Sequence, residues 1–175
     1  MDLKLLRRRC EARIEGWELP VPFDVHQLCR ALAEQRQRPI VLRPLLGRDG
    51  PCGLWVAGPS SDFIFYAADT SPLHQQHIIL HELSHLLCGH RTLPLGEDEL
   101  RALLFPDLHA QTVERVLQRA GYSTADEQEA ELLASVILQR VTAHGPARSA
   151  VRPELAGLHR RLVACLGDGT GISAC

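Results

Sequence analysis

The sequence lacks the features that mark membrane-spanning and disulfide-stabilised proteins. No apolar run reaches the roughly 18 residues that a membrane-spanning helix requires. The six cysteines form no C-x-x-C pair and follow no framework spacing. No apolar segment follows the basic N-terminal residues as it would in a secretory signal. We therefore expect a cytoplasmic protein with reduced thiols.

The chain also lacks a strong excess of charge of either sign. Its 19 basic and 21 acidic side chains give a net charge of −2, which argues against bulk electrostatic binding to nucleic acid. The basic cluster around Arg7, Arg8 and Arg9 is explained equally well by a solvated helix face. The sequence predicts no direct contact with nucleic acid and no membrane association, and it gives no indication of an oligomeric state.

A length of 175 residues with 45% hydrophobic content suits one well-buried core and is short for two domains. We expect a single domain over residues 1–175. An N-terminal helix falls within residues 1–20. A C-terminal helix, from about Pro153 to Leu166, and a loose tail fall within residues 143–175.

The most informative stretch is residues 70–90, which contains the HExxH motif His81-Glu82-Leu83-Ser84-His85. Ser71 suits the N-cap of a helix, Pro72 suits its first position, and Gly89 suits its end. At about 100° per residue, the two histidines lie roughly 40° apart, one turn from each other. The motif therefore predicts two imidazoles that meet one metal ion.

Glu82 lies at the edge of the same face, where its carboxylate can activate a water without being a ligand. This is the arrangement of a zinc peptidase, with Glu82 as the general base and Zn²⁺ as the cofactor. Two alternatives are a chance occurrence of the motif and a structural zinc. A structural zinc usually has four side-chain ligands rich in cysteine, whereas His81 and His85 leave a position open.

Three segments read as strands and give the chain an α+β class. They are residues 38–46 around Ile40, Gly53 to Ala57 and Phe63 to Tyr66. The turn-rich segments between them predict a small antiparallel meander packed on the HExxH helix, with flanking helices. One strand would lie along the cleft, where its edge can accept an extended peptide. The alternative is an ordinary edge strand.

Residues 91–120 read as an insertion that walls or covers the cleft. It contains two short helices, Glu97 to Leu104 and Asp107 to Ala120, which are separated at Pro106. Tyr122 follows the insertion and is a candidate hydrogen-bond donor to a developing oxyanion, although a tyrosine here also suits packing.

The helix from Thr124 to about Thr142 must supply a third ligand. Glu127 and Glu131 share one face of it, together with small residues that permit close packing, whereas Glu129 lies on the opposite side. Glu127 also fits a capping box with Thr124. We favour Glu127 as the ligand, because a zinc held by two histidines needs a third protein ligand. Glu131 is expected to support the site, or else to be the ligand itself.

Other third ligands fit less well. The pattern HExxHxxGxxH requires Gly at position 88 and His at position 91, where the chain has Cys88 and Arg91, so His90 misses by one residue. His77 lies one turn before the motif and would strain a three-histidine site, so it is expected at the rim. Asp126 and Cys88 remain alternatives.

These residues resemble the ImmA/IrrE family of zinc metallopeptidases. The resemblance rests on the block His81-Glu-Leu-Ser-His-Leu-Leu-Cys-Gly-His90 and on residues 127–134, EQEAELLA, which are similar to the family helix E-x-x-A-N-x-F-A. The order of elements from about residue 20 to residue 140 agrees. Glu131 stands where the family commonly has Asn, and Leu133 where it has Phe. The resemblance implies that Glu127 is the third zinc ligand.

It also implies an intracellular bacterial endopeptidase that cuts a helix-turn-helix repressor, often one encoded nearby, in stress response or mobile-element control. A second class of function is a zinc-containing regulatory module that sequesters a partner protein without cutting it. The intact set of His81, Glu82 and His85 favours the enzyme, since a pure binding module does not need Glu82.

Overall fold

A computed structural model describes residues 2–45, 52–91, 96–104, 116 and 121–144 of the chain. In chain order its elements are α1 (Leu3–Arg13), α2 (Val25–Arg36), β1 (Ile40–Leu45), β2 (Gly53–Ala57), β3 (Asp62–Ala67), α3 (Pro72–Cys88), α4 (Glu97–Leu104) and α5 (Thr124–His144). These five helices and three strands confirm the predicted α+β class. No helix among the described residues is both long and apolar enough to cross a membrane.

The ends of α3 are those that the sequence predicts. The Ser71 hydroxyl accepts a hydrogen bond from the backbone N–H of His74 at 3.3 Å, and Pro72 occupies the first turn. At the other end Gly89 takes a left-handed conformation with φ of 71°, which side-chain-bearing residues rarely adopt. Residues at each end therefore fix where the helix begins and ends, and the HExxH motif lies between those two ends.

The three strands form one mixed sheet in the order β1-β3-β2. β3 lies in the middle, where it pairs antiparallel with β2 and parallel with β1. The predicted antiparallel meander is therefore wrong, although the three strand positions are confirmed. The segment 46–52 is too long for the tight turn that would join β1 and β2 as a hairpin. β2 and β3 do form a hairpin, which Gly58 closes by donating its N–H to the Ser61 carbonyl over 2.9 Å.

The two faces of the sheet contribute to separate hydrophobic clusters, because side chains alternate along a strand. Trp55 and Ile64 point towards a cluster that also contains residues of α1, α2, α3 and α5. Their neighbours Leu54 and Phe65 point the other way, into a cluster with Leu103 of α4. The expected packing of α3 between the small sheet and α5 is confirmed.

The predicted insertion over residues 91–120 is described only in part. Its first helix, α4, joins the cluster on the sheet face opposite to α3, and the expectation that the insertion walls or covers the cleft stays a prediction. The second helix, predicted from Asp107 to Ala120, lies outside the described residues apart from Val116. The predicted C-terminal helix and tail lie outside them as well. The assignment of the whole chain to one domain stays a prediction.

A buried ion pair fixes the start of β3. The Asp62 side chain is only 2% exposed, and its Oδ2 lies 2.8 Å from Nη1 of Arg36 and 3.2 Å from Nε of Arg38. The two arginine side chains stay about a third exposed, and Arg36 ends α2 while Arg38 precedes β1. The network therefore ties α2 to the middle strand of the sheet.

We expect Asp62→Asn to lower the free energy of unfolding by about 1–3 kcal/mol, because hydrogen bonds to charged groups are worth about that much. The cost stays below that of a fully buried pair, since both arginines can be hydrated after the change. Urea unfolding measures it as a lower midpoint at an unchanged slope. Glu18→Gln, the same change at an exposed carboxylate, is the control. A midpoint equal to that of wild type would show that the network adds nothing to stability.

Candidate metal centre

The motif histidines and Glu127 converge where α3 packs against α5. The two Nε2 atoms of His81 and His85 lie 3.0 Å apart. The Glu127 carboxylate reaches both, with Oε2 at 3.2 Å from His81 Nε2 and Oε1 at 3.8 Å from His85 Nε2. His85 is fully buried, whereas the Glu127 side chain is 40% exposed. The three groups therefore surround a point that is open to solvent on one side.

The packing of α5 explains how Glu127 reaches α3. Ala130 and Ala134 are fully buried on the same face, and their small side chains let the two helices approach closely, as the sequence predicts. The capping-box alternative for Glu127 is wrong. Ser123 is the residue that caps α5, because its hydroxyl accepts the backbone N–H of Asp126 at 3.2 Å. Glu127 is left with its carboxylate directed at the histidines.

The charges at this point are strongly coupled. Burial acts to lower the pKa of His81, but the Glu127 and Glu131 carboxylates outweigh it and raise that pKa to about 10. Burial acts to raise the pKa of Glu127, but His81 and His85 hold it at about 2. For His85 burial prevails, so its pKa is lowered. Two imidazole nitrogens and a carboxylate at these distances need a positive charge among them, which either a proton or a metal ion supplies.

The donor set and its spacing fit a metal ion. His81, His85 and Glu127 each offer one ligand atom, and these atoms all lie within 4.8 Å of one another. In a tetrahedral zinc site with bonds of about 2.0–2.1 Å, the ligand atoms are about 3.3 Å apart. The observed distances of 3.0 Å, 3.2 Å and 3.8 Å bracket that value. Imidazole and carboxylate groups also bind other divalent ions, so these donors could hold a metal ion but do not identify which one.

Glu131 approaches the site from behind His81. Its Oε2 lies 3.3 Å from Nδ1 of His81, the nitrogen that faces away from Glu127, and 3.6 Å from Nε2 of His77. Burial acts to raise the pKa of Glu131, but the two histidines outweigh it and hold that pKa at about 2. A charged carboxylate behind a ligand histidine orients its ring. Glu131 and His77 are therefore placed to support His81 rather than to join the three converging groups.

Glu82 lies in a narrow pocket between α3 and β2. The residue is 4% exposed, and among the described residues its Oε2 has no hydrogen-bond partner. Burial raises its pKa to about 7, against the opposing effects of His81 and the backbone N–H of Trp55. A Cβ atom at Gly53 would lie 2.7 Å from Oε1 of Glu82 and 2.7 Å from a methyl group of Ile78. The missing side chain at residue 53 makes room for the carboxylate.

The ring of Tyr122 packs against the face of the His85 ring. The two rings are stacked, with centroids 3.5 Å apart and planes inclined by 17°. The hydroxyl group is buried, and it has no hydrogen-bond partner in the part of the chain that the structure describes. Burial and the nearby Glu82 and Glu127 carboxylates raise the pKa of Tyr122 above its ordinary value. The hydroxyl therefore keeps its proton and stays a hydrogen-bond donor.

The remaining candidate ligands lie outside the converging group. Asp126 has its carboxylate 3.6 Å from His90 Nε2. Cys88 is not among the three residues whose ligand atoms lie within 4.8 Å of one another, and burial raises the pKa of its thiol to about 12. His90 forms a 2.9 Å contact with the rear nitrogen, Nδ1, of His85.

Sequence reasoning missed the contributions of Gly53 and His90. Gly53 carries no signal of its own, because its contact with Glu82 joins a strand to a helix that follows it much later in the chain. His90 does carry a signal. A glycine that ends a helix commonly folds the next residue back over the last turn, and that turn contains His85. No family model, curated protein or solved structure matches this chain.

Proposed function

We propose that this chain is a zinc-dependent endopeptidase, similar to the ImmA/IrrE family, that cleaves an intracellular protein substrate. One observation carries the proposal. Two Nε2 atoms and the Glu127 carboxylate converge on one point, while the buried Glu82 lies beside them on the same helix. A metal site built only for structure has no need of an additional buried carboxylate at its edge.

His81, His85 and Glu127 would hold the zinc. When bound, zinc acts as a Lewis acid and makes water acidic enough, with a pKa of about 7, to attack a peptide carbonyl at neutral pH. Glu82 acts as the general base, which accepts a proton from the attacking water and delivers it to the leaving amine. Its Oε2, which has no hydrogen-bond partner among the described residues, is available for that proton.

Tyr122 donates a hydrogen bond to the carbonyl oxygen as negative charge develops on it. The stacked His85 ring holds the tyrosine ring in place, so donating this bond requires no rearrangement.

We expect Tyr122→Phe to lower kcat by about a hundredfold to a thousandfold, as the loss of one oxyanion donor commonly does. Phenylalanine keeps the ring that stacks on His85, so zinc content is expected to stay unchanged. Tyr66→Phe, the same change in β3, is the control and keeps full activity. Equal kcat in both variants would leave Tyr122 with a packing role only.

The edge of β2 offers a docking position for an extended substrate. Ala67 donates its N–H to the Cys52 carbonyl at 2.7 Å, and the closing bond of the hairpin involves Gly58. Along an antiparallel strand, the backbone N–H and C=O groups of successive residues alternate between bonding to the neighbouring strand and facing away from it. The backbone groups of Gly53 and Ala57 therefore point away from β3. The backbone N–H of Trp55, which lies between them in the strand, donates a hydrogen bond to the Glu82 carboxylate. A peptide added along this edge would thus pass directly beside the general base.

Gly53→Ala is expected to lower kcat by about tenfold to a hundredfold with zinc still bound. The added methyl group overlaps Glu82 and Ile78, and a displacement of about 1 Å in a reacting group costs that much. The control is Gly96→Ala, where a Cβ meets nothing closer than 4.0 Å. Paired measurements of kcat and zinc content test the expectation, which unchanged kcat in Gly53→Ala contradicts.

The proposed substrate is a helix-turn-helix repressor, which is the substrate class that the family resemblance implies. The test combines zinc analysis of the purified protein with co-expression of a repressor-like protein that is encoded nearby and tagged at both ends. We expect one zinc per chain and a shortened repressor. Absence of zinc would overturn the metal site. Bound zinc without any new N-terminus, in the repressor or in host proteins surveyed by mass spectrometry, would overturn the peptidase.

A further inference from the structure

His90 contacts the rear of the site in a way that the proposed reaction does not use. Its Nδ1 lies 2.9 Å from Nδ1 of His85, which is hydrogen-bond distance. The His90 side chain is 6% exposed and that of His85 is 0% exposed, so water does not compete for this contact. The contact is therefore built into the packed interior behind the converging ligand atoms.

The backbone turn at the end of α3 brings the two rings together. Gly89 is left-handed, its N–H bonds to the Leu86 carbonyl at 3.2 Å, and the N–H of His90 bonds to the His85 carbonyl at 3.1 Å. This pair of bonds is the Schellman motif, which sets the second residue after a helix beside its last turn. His90 is thus bound to His85 twice, once through the backbone and once through the ring.

The contacts of the ring nitrogens determine which nitrogen of His85 and which nitrogen of His90 carries the proton. His85 presents Nε2 to His81 and Glu127, so a neutral His85 that binds a metal through Nε2 carries its proton on Nδ1. That N–H must donate to Nδ1 of His90. His90 then carries its own proton on Nε2.

The surroundings of His90 favour that same tautomer. Its Nε2 faces two carboxylates of α5, with Asp126 Oδ1 at 3.6 Å and Glu129 Oε2 at 3.8 Å. Glu129 is itself paired with Arg9 of α1 at 3.2 Å. Negative charge on this side favours an N–H at Nε2 and leaves Nδ1 as an acceptor. Contacts therefore connect Arg9 of α1 to Glu129 of α5, and Glu129 to His90. His90 in turn contacts the ligand histidine.

We infer that His90 is a positioning residue, which accepts the Nδ1–H of His85 and so fixes that histidine with Nε2 directed at the metal. The inference rests on the proposed metal site. Each metal histidine then has its own rear partner, a side chain that contacts the ring nitrogen opposite the metal. Glu131 faces Nδ1 of His81, and His90 faces Nδ1 of His85. Rear partners of this kind commonly change metal affinity by about tenfold to a hundredfold.

Two substitutions separate acceptance of the hydrogen bond from packing. In His90→Asn the amide oxygen can occupy the place of Nδ1 and accept the same proton, whereas His90→Leu fills the space without an acceptor. We expect the Kd for Zn²⁺, measured by competition with a chromophoric chelator, to rise by about tenfold to a hundredfold in His90→Leu. In His90→Asn it is expected to stay within about threefold of wild type, because the acceptor is kept.

Failure of the inference is distinct from failure of the metal site. Wild-type protein that binds no zinc overturns the metal site, and the inference with it. Zinc binding of equal strength in wild type and both variants overturns the role of His90 alone, as does an equal loss in both variants. If His90→Leu does not fold, NMR of the zinc-loaded wild type decides. A scalar coupling between the two Nδ1 atoms across the hydrogen bond supports the inference, and its absence overturns it.

Discussion

Replacing Glu82 by Gln is expected to abolish peptide hydrolysis while the zinc content stays at the wild-type level. Glutamine has nearly the shape of glutamate, so the pocket beside Gly53 can accept it. His81, His85 and Glu127 are untouched. The amide cannot take a proton from water, and removal of a general base costs about a hundredfold to ten-thousandfold in rate. The measurement pairs zinc stoichiometry with cleavage of a co-expressed repressor.

Glu18→Gln is the matched control, because it makes the same chemical change at an exposed carboxylate outside the site. Its cleavage rate is expected to stay close to that of wild type. Loss of both zinc and cleavage in Glu82→Gln would mean that Glu82 holds the site together. If Glu82→Gln still cleaves the repressor, or still regulates it, as well as wild type does, the hydrolytic mechanism is contradicted. The chain would then fit the regulatory module that binds a partner without cutting it.

The elements that the sequence predicts well are those fixed by neighbouring residues. The N-cap of α3 at Ser71 and its end at Gly89 depend on side chains within one turn. The facing of His81 and His85 follows from helix geometry alone. Two constraints together point to Glu127, the shared face of α5 and the need for a third ligand. Its contact with His81 at 3.2 Å agrees with that choice.

The errors concern contacts between distant parts of the chain and shifts of one residue. The predicted strand order is wrong because β1 pairs with β3, although all of β2 lies between them in the chain. Turn chemistry does not encode that pairing. The sequence predicts Thr124 as the cap of α5, whereas the structure has Ser123 there, because both residue types are good caps. That shift created a competing role for Glu127 that the structure removes.

The second prediction with a large effect is that Glu127→Ala weakens zinc binding more than any other carboxylate change in the site. Loss of a direct ligand must exceed the roughly tenfold to hundredfold effect of a rear partner, so we expect the Kd to rise by more than about a hundredfold. Glu131→Ala removes the carboxylate behind His81 and is expected to fall within that lower range. Chelator competition on refolded, metal-free protein provides all the values on one scale.

Glu129→Ala completes the series as its control. Asp126 still faces His90 when Glu129 is removed, so the Kd for zinc is expected to change by less than about tenfold. The order of the three variants carries the test. A larger loss in Glu131→Ala than in Glu127→Ala would make Glu131 the third ligand, and α5 would have to turn its other carboxylate to the metal. Equal zinc binding in all three would remove the carboxylates from the site and return His77, which lies 3.6 Å from Glu131, as the candidate third ligand.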